Sequence, residues 1–336
     1  MKKLLIIIPL LLLVIGGIAG YTLYRYVKMP YPGSEKRIYI SRGTDAEQLW
    51  DVLTDSLGST FADHVMRIWS YKDGDPAKAA GSYIIKPGES AMTVASRLRS
   101  GRQNPVKVVI GGHRTFKELV AQLAAQLDFT PEEFAAVCDS TLPAKGFKPQ
   151  TYQAAILPDT YEFYWNVTPE KALSRLLGYR DDFWNEERRA KAQKIGLTPI
   201  EVATLASIVE EETAKASERP TVARLYLNRL NRGMKLQADP TVKFAVGDPT
   251  LRRILHKHLE TRSPYNTYQI VGLPPGPIRI PEKSALDAVL NAPENPYLYM
   301  CAKEDFSGYH NFARDLATHN ANARRYQAAL NRLNIK

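Results

Sequence analysis

The chain begins Met1-Lys2-Lys3 and then runs from Leu4 to about Tyr24 without a charged residue. As a helix rising 1.5 Å per residue, that run can cross the ~30 Å hydrocarbon core of a bilayer. Such a segment satisfies its own backbone and avoids water, so the rest of the chain has to fold apart from it. The lysines in front set the N-terminus in the cytoplasm and everything after the span outside it. Gly16, Gly17, Ala19 and Gly20 supply the small residues of a cleavable signal, but the length of the run favours a retained, single-pass anchor in the cytoplasmic membrane. There is no cysteine at that site for lipoprotein processing.

Of the 336 residues, 45 are basic and 35 acidic, a net charge of +10. This suits an anionic partner such as a membrane surface or a cell-wall polymer, and an extracytoplasmic location argues against nucleic acid. The two cysteines, Cys138 and Cys301, exclude a disulfide framework but leave one bridge open. His310 and His319 have no adjoining ligand motif, and neither a phosphate-binding glycine loop nor a Ser-His-Asp order is present, so no metal or cofactor is expected.

The fold class reads as α+β. Residues 1–28 form the anchor, and Met29-Pro30-Tyr31-Pro32-Gly33 resists helix and strand alike, which makes 29–36 a linker. Residues 37–105 form a small α+β module of two similar units, each a strand, a glycine turn and an amphipathic helix. The first strand is Arg37 to Ile40, with its helix over 47–57; the second is Ser82 to Ile85, with its helix over 93–98. Residues 106–336 make up the remaining domain. It opens with a strand at Val106–Ile110 and is then mostly helical to Gly233. A loop-dominated stretch follows from Asp239 to Pro281, then a hairpin around Asp305-Phe306-Ser307-Gly308 and a helix from Thr318.

One helical stretch carries three acids in a row, Glu210, Glu211 and Glu212. At ~100° per residue, Ile208, Val209 and Glu212 fall within about 60° of Leu205, while Glu210 and Glu211 point elsewhere. A carboxyl among Leu, Ile and Val loses hydration, which raises its pKa and keeps the proton a general acid needs. The plainer reading is a buried acid neutralised by Arg219 or Arg224. Ser217 reads as the cap of the next helix. Asp239, ahead of Pro240, reads equally well as a helix cap or a ligand-binding carboxylate. Tyr265-Asn266-Thr267-Tyr268 and Gly272-Leu273-Pro274-Pro275-Gly276 interleave aromatic faces with amides and hydroxyls, a mixture suited to sugar rings.

Taken together these motifs resemble the YceG-like family of endolytic murein transglycosylases. The resemblance rests on Ala206-Ser207-Ile208-Val209-Glu210 with Glu212-Thr213, Ala216-Ser217-Glu218-Arg219, Leu236-Gln237 with Asp239-Pro240-Thr241-Val242, Tyr265-Asn266-Thr267-Tyr268, Gly272-Leu273-Pro274-Pro275-Gly276, and His319-Asn320. It implies a LysM-like glycan-binding module over 37–105 and a mainly helical, lysozyme-like catalytic domain over 106–336, with Glu212 as the catalytic residue. It also implies substrate contacts from Gln237, Asp239, Tyr265, Asn266, Thr267, Tyr268, Pro274 and Gly276. The implied substrate is a peptidoglycan glycan strand, cut between N-acetylmuramic acid and N-acetylglucosamine to leave a 1,6-anhydro end. That cut would limit strand elongation beside peptidoglycan synthases. A hydrolytic muramidase using Glu212 and Asp239, and a non-catalytic wall-binding scaffold, are the competing readings. The chain departs from the family pattern at Glu211, usually lysine, at Ala238, usually Thr or Ser, and over Gln153–Ile156.

Overall fold

In the computed structural model, residues 2–248, 250–251 and 253–333 are described, with side chains from Leu10 onward. Met1 and residues 334–336, the ends of the expected segments, lie outside the described residues. The apolar run is one helix, α1 (Lys2–Val27). Its Leu10–Val27 stretch has a mean hydropathy of 1.5 with none of it buried against protein, which fits a membrane span. Even the Thr22 hydroxyl is satisfied within the helix, on the Ile18 carbonyl at 2.8 Å.

The first of two units comprises residues 1–108, 124–130 and 162–168. Beyond α1 it holds β1 (Lys36–Ile40), α2 (Ala46–Leu57), α3 (Ser59–Tyr71), α4 (Pro76–Ala79), β2 (Gly81–Ile85) and α5 (Ala91–Ser100). β1 and β2 pair antiparallel, Ile38 opposite Tyr83, and so put alternate residues onto the helices. Asp45 and Gln48 close a capping box on α2, and Ser90 caps α5. Leu49, Leu53, Phe61, Val65, Tyr83, Val94 and Leu98 form the core. α3 is not foreseen from sequence. Its start has no capping side chain, and Gly58, at φ +84°, folds it straight back from α2.

The expected linker is part of this unit. Ala91 N–H donates to Met29 O, and Tyr31 exchanges backbone bonds with Glu89 and Gly88, all at 2.9 Å. Tyr31 is buried against Phe61, with ring centroids 5.2 Å apart. The prolines do prevent helix here, but an extended backbone can still pair at an edge.

The second unit takes residues 109–123, 131–161 and 169–336. β3 (Val106–Ile110) and β4 (Asp159–Phe163) pair with each other, each belonging partly to one unit and partly to the other. The helices are α6 (Phe116–Ala124), α7 (Pro131–Thr141), α8 (Pro169–Phe183), α9 (Glu186–Lys194), α10 (Pro199–Glu212), α11 (Arg219–Asn231), α12 (Asp239–Val246), α13 (His256–Leu259), α14 (Lys283–Leu290) and α15 (Leu316–Arg332). Two 3-10 turns, Pro143–Lys145 and Pro149–Ala155, precede β4, and β5 (Tyr299–Ala302) pairs antiparallel with β6 (His310–Ala313). α10 is the central element, packed by α11, α12, α14 and the turn over Pro149–Ala155.

Three features depart from the sequence reading. β4 interrupts a stretch expected to be helical, and α12 and α14 supply regular structure in and after the expected loop. Ser217 does not cap α11. Glu218 holds the cap position without a cap bond, because its carboxylate is engaged elsewhere. Cys138, buried in α7, and Cys301, on β5, are both free thiols, and burial pushes the Cys138 thiol up to about 12.

Candidate active site

Helix α10 starts at a reciprocal cap. Thr198 Oγ1 accepts from Glu201 N–H at 3.3 Å, Glu201 Oε2 accepts from Thr198 N–H at 2.8 Å, and Pro199 occupies the first turn. Every residue from Val202 to Glu210 is buried, so the helix has no solvated face. For this reason Glu210, expected to point away from the interior, is enclosed as well, at 8 % exposure. It accepts from Glu282 N–H at 2.7 Å and pairs with Arg279 at 3.3 Å. Burial raises its pKa, opposed by that backbone bond and by Arg279. Glu211 is exposed and takes the other arm of Arg279 at 2.6 Å.

Glu212 is the last residue of α10, before Thr213 turns to extended geometry at φ −140° and ψ 128°. It is only partly covered as a whole residue, yet its Oε2 is sealed from solvent and takes no hydrogen bond. Burial, and then the neighbouring Asp239 carboxylate, push its pKa up to about 8; Tyr226 and Arg229, both on α11, act in the opposite direction. The helix C-terminus adds its own negative potential to the effects that favour the protonated acid. Arg219 and Arg224, the expected neutralising partners, are engaged elsewhere: Arg219 with Ser284 at 3.0 Å, Arg224 with Ala292 O at 2.7 Å. A pKa near 8 favours the protonated form of Glu212 at neutral pH, and no ion-pair partner for it occurs among the described residues.

The acid opens on a cleft of about 500 Å³ whose walls include Glu211, Asp239, Lys243 and Arg253. A larger hollow of about 730 Å³ lies between α9, α11 and α14, but its one carboxylate, Glu294, is 85 % exposed. Chemistry, not size, therefore singles out the Glu212 cleft. Asp239 begins α12, with Ala238 as the cap residue, and is exposed. The Tyr268 hydroxyl donates to Asp239 Oδ1 at 2.7 Å, and burial together with this bond raises the Tyr268 pKa. Gln237 is exposed beside them at φ +52°, a left-handed conformation that is strained for a residue with a side chain.

The other expected contact residues build the wall behind this face. Asn266 and Thr267 are fully enclosed. Asn266 Nδ2 donates to Leu259 O and Thr261 O, and Thr267 Oγ1 accepts from Ala238 N–H at 2.9 Å. Tyr265 packs on Phe244 with centroids 4.8 Å apart. Pro274 and Gly276 are buried, and a Cβ on Gly276 would lie 1.9 Å from Gln150 O, so only glycine admits this approach. Sequence reasoning missed Tyr226, Arg229 and the Glu218–His310 pair. Val222, Tyr226 and Arg229 recur at helical spacing on one buried stripe of α11, and an arginine on such a stripe was the available signal. Glu218 Oε1 accepts from His310 N–H at 2.8 Å, and its Oε2 meets His310 Nδ1 at 2.9 Å and Thr213 Oγ1 at 3.2 Å. This ties the β5–β6 hairpin to the residue after the acid.

Known proteins similar to this chain share one name or one family. A Bacillus subtilis (strain 168) protein named endolytic murein transglycosylase is 28 % identical over 271 residues, 75 % of this chain and 74 % of its own length. A protein of the same name from Streptococcus pneumoniae serotype 2 is 27 % identical over 329 residues, 87 % of this chain but 59 % of its own length. The crystal structure of a yceG-like protein from Listeria monocytogenes aligns with a TM-score of 0.54 at 25 % identity, covering 86 % of this chain and 99 % of that one. With a match to the model of the YceG-like family over residues 38–325, the chain belongs to that family.

Proposed function

We propose that this protein is a lytic transglycosylase that cleaves peptidoglycan glycan strands at the bond from N-acetylmuramic acid to N-acetylglucosamine. The observation that carries this reading is the Glu212 carboxyl at the edge of an open cleft, with one oxygen sealed from solvent, no ion-pair partner among the described residues, and a pKa pushed up by burial and by Asp239. The name shared by the Bacillus and Streptococcus relatives supports it. Glu212 protonates the glycosidic oxygen. As carboxylate it then takes the proton of the muramoyl 6-hydroxyl, whose oxygen closes on C1 to form the 1,6-anhydro ring. No water enters, and the intramolecular nucleophile acts at a high effective concentration. Gln237, Asp239 and Tyr268 offer polar groups to the sugars and to the developing charge, while Asn266, Thr267, Pro274 and Gly276 hold that wall and Tyr265 flanks it. Residues 37–105 serve as a LysM-like glycan-binding module and residues 106–336 as a lysozyme-like catalytic domain. α1 anchors the chain in the cytoplasmic membrane with residues 37–336 outside, where the cut terminates strand growth beside peptidoglycan synthases.

The exposed Asp239 in the same cleft supports one competing reading, a hydrolase with Asp239 as its second carboxylate. The products separate the two. Mass spectrometry of uncrosslinked glycan strands digested by the chain lacking its anchor is expected to find internal cuts ending in 1,6-anhydro-muramoyl groups. Reducing ends with a gained water would establish the hydrolase instead.

A further inference from the structure

Arg229 is buried, 7 % exposed, and its guanidinium pairs with no carboxylate among the described residues. Its bonds go to neutral oxygens: Nε donates to Leu298 O at 2.6 Å, and Nη1 to Lys235 O at 3.1 Å, Leu236 O at 2.9 Å and Gln237 Oε1 at 3.2 Å. The Tyr299 ring lies 5.3 Å from the guanidinium carbon. Removing a cation from water without an anion to meet it is costly, and an aliphatic side chain on this stripe of α11 would pack without that cost. The charge therefore calls for a use beyond folding.

Two observations point to that use. Three of the four bonds fall on Lys235, Leu236 and Gln237, the turn that leads into α12 and Asp239 and contains the left-handed Gln237. The same guanidinium lies within electrostatic reach of Glu212, Tyr226, Tyr268 and His319. We infer that Arg229 is a positioning residue of the reaction: one buried guanidinium clamps the turn that delivers Gln237 and Asp239 to the cleft, and supplies the positive charge beside which the Glu212 carboxylate forms. This rests on the reading of Glu212 as the acid. When Glu212 releases its proton to the leaving oxygen, the electron pair of the O–H bond stays on the carboxylate, and Arg229 stabilises that charge without moving. When the carboxylate takes the 6-hydroxyl proton, the site returns to its starting charge.

Other groups around the acid set the background for a test by pH. Tyr226 shares α11, Asp239 and Lys243 come from α12, Tyr268 from the following loop, Arg253 from the cleft wall, and Glu210 and Glu211 with Arg279 from the end of α10 and its partner segment. His319 is held below its ordinary pKa by burial and then by Arg229, so near neutrality it adds no second positive charge.

The experiment compares pH–rate profiles of the wild-type, Arg229→Met and Arg229→Lys proteins on soluble uncrosslinked glycan strands, with folding checked by circular dichroism. Loss of the positive charge disfavours the carboxylate. The alkaline limb of Arg229→Met should therefore move upward by about half a pH unit or more, with kcat falling roughly tenfold or more. Arg229→Lys keeps the charge but not the fork, so its limb should stay in place while KM rises several-fold. An unmoved limb and unchanged kcat in Arg229→Met would overturn the inference, as would an Arg229→Lys limb that moves as far as that of Arg229→Met. If Arg229→Met does not fold, Arg229→Lys decides alone, and wild-type kcat and KM in that variant refute the clamp. A wild-type protein that yields only reducing ends contradicts the transglycosylase reading, yet the displacement of its alkaline limb still tests Arg229.

Discussion

Asp239 and Glu212 face one cleft from different helices, and the Asp239 carboxylate, fixed by the Tyr268 hydroxyl at 2.7 Å, helps keep the Glu212 proton in place. Replacing it by a neutral amide removes a like charge, so Asp239→Asn should lower the Glu212 pKa from about 8 and draw the alkaline limb of activity to lower pH. In the proposed reaction Asp239 tunes the acid and orders sugar without forming a bond, so turnover below that limb should survive within about tenfold. Complete loss of turnover at every pH would instead mark Asp239 as a second catalytic carboxylate.

The raised pKa also makes a prediction about stability. Glu212 keeps its proton when folded up to about 8, whereas in the unfolded chain it ionises near the ordinary carboxylate value of 4.5. The unfolded state therefore binds fewer protons between those values, and this group costs the fold stability as pH rises from about 4.5 to about 8. Glu212→Gln removes the cost. Its Tm should exceed that of the wild type by several degrees near pH 8, for an effect on the order of 4 kcal/mol, with the gap closing below about pH 4.5. Calorimetry across that range checks both the sign and the convergence.

Gly276 passes the Gln150 carbonyl with no room for a side chain. Gly276→Ala forces one backbone segment away from the other, and a loss of roughly 2 kcal/mol or more in urea unfolding is expected. Gly178→Ala is the control, because nothing lies within 4 Å of its Cβ position.

The segment after the anchor contributes to the first unit through Tyr31 and its pairing with the Glu89 turn. A chain starting at residue 25 should melt higher than one starting at residue 33, which loses the Tyr31 packing on Phe61, by about 1–3 kcal/mol of stability. Equal melting of the two would mean that the segment is a free tether.

Local signals were readable where one residue decides the outcome. The strands over Arg37–Ile40 and Ser82–Ile85, the helices that follow them, and the hairpin turn at Ser307-Gly308 all lie where expected. The inward turn of the Glu212 side chain was legible for the same reason, a polar residue breaking an apolar period. The misses arise where tertiary packing decides. A face argument assumes one solvated side, and α10 has none, so it put Glu210 outside when the fold encloses it with Arg279 and the α14 N-terminus. Glu218 meets a histidine roughly 90 residues away, His310, and Arg229 joins the nearby Lys235–Gln237 turn to the Leu298 carbonyl roughly 70 residues on. No local period encodes partners at that separation.

The proposed reaction depends on one proton donor, and one substitution removes it while keeping its shape. Purified Glu212→Gln protein, folded by circular dichroism and lacking residues 1–28, should be assayed beside the wild type on uncrosslinked glycan strands at pH 7, with ends counted by mass spectrometry. The expected result is intact glycan binding and a fall of at least ~10²-fold in 1,6-anhydro ends. Formation of those ends at a near wild-type rate would contradict the assignment of Glu212.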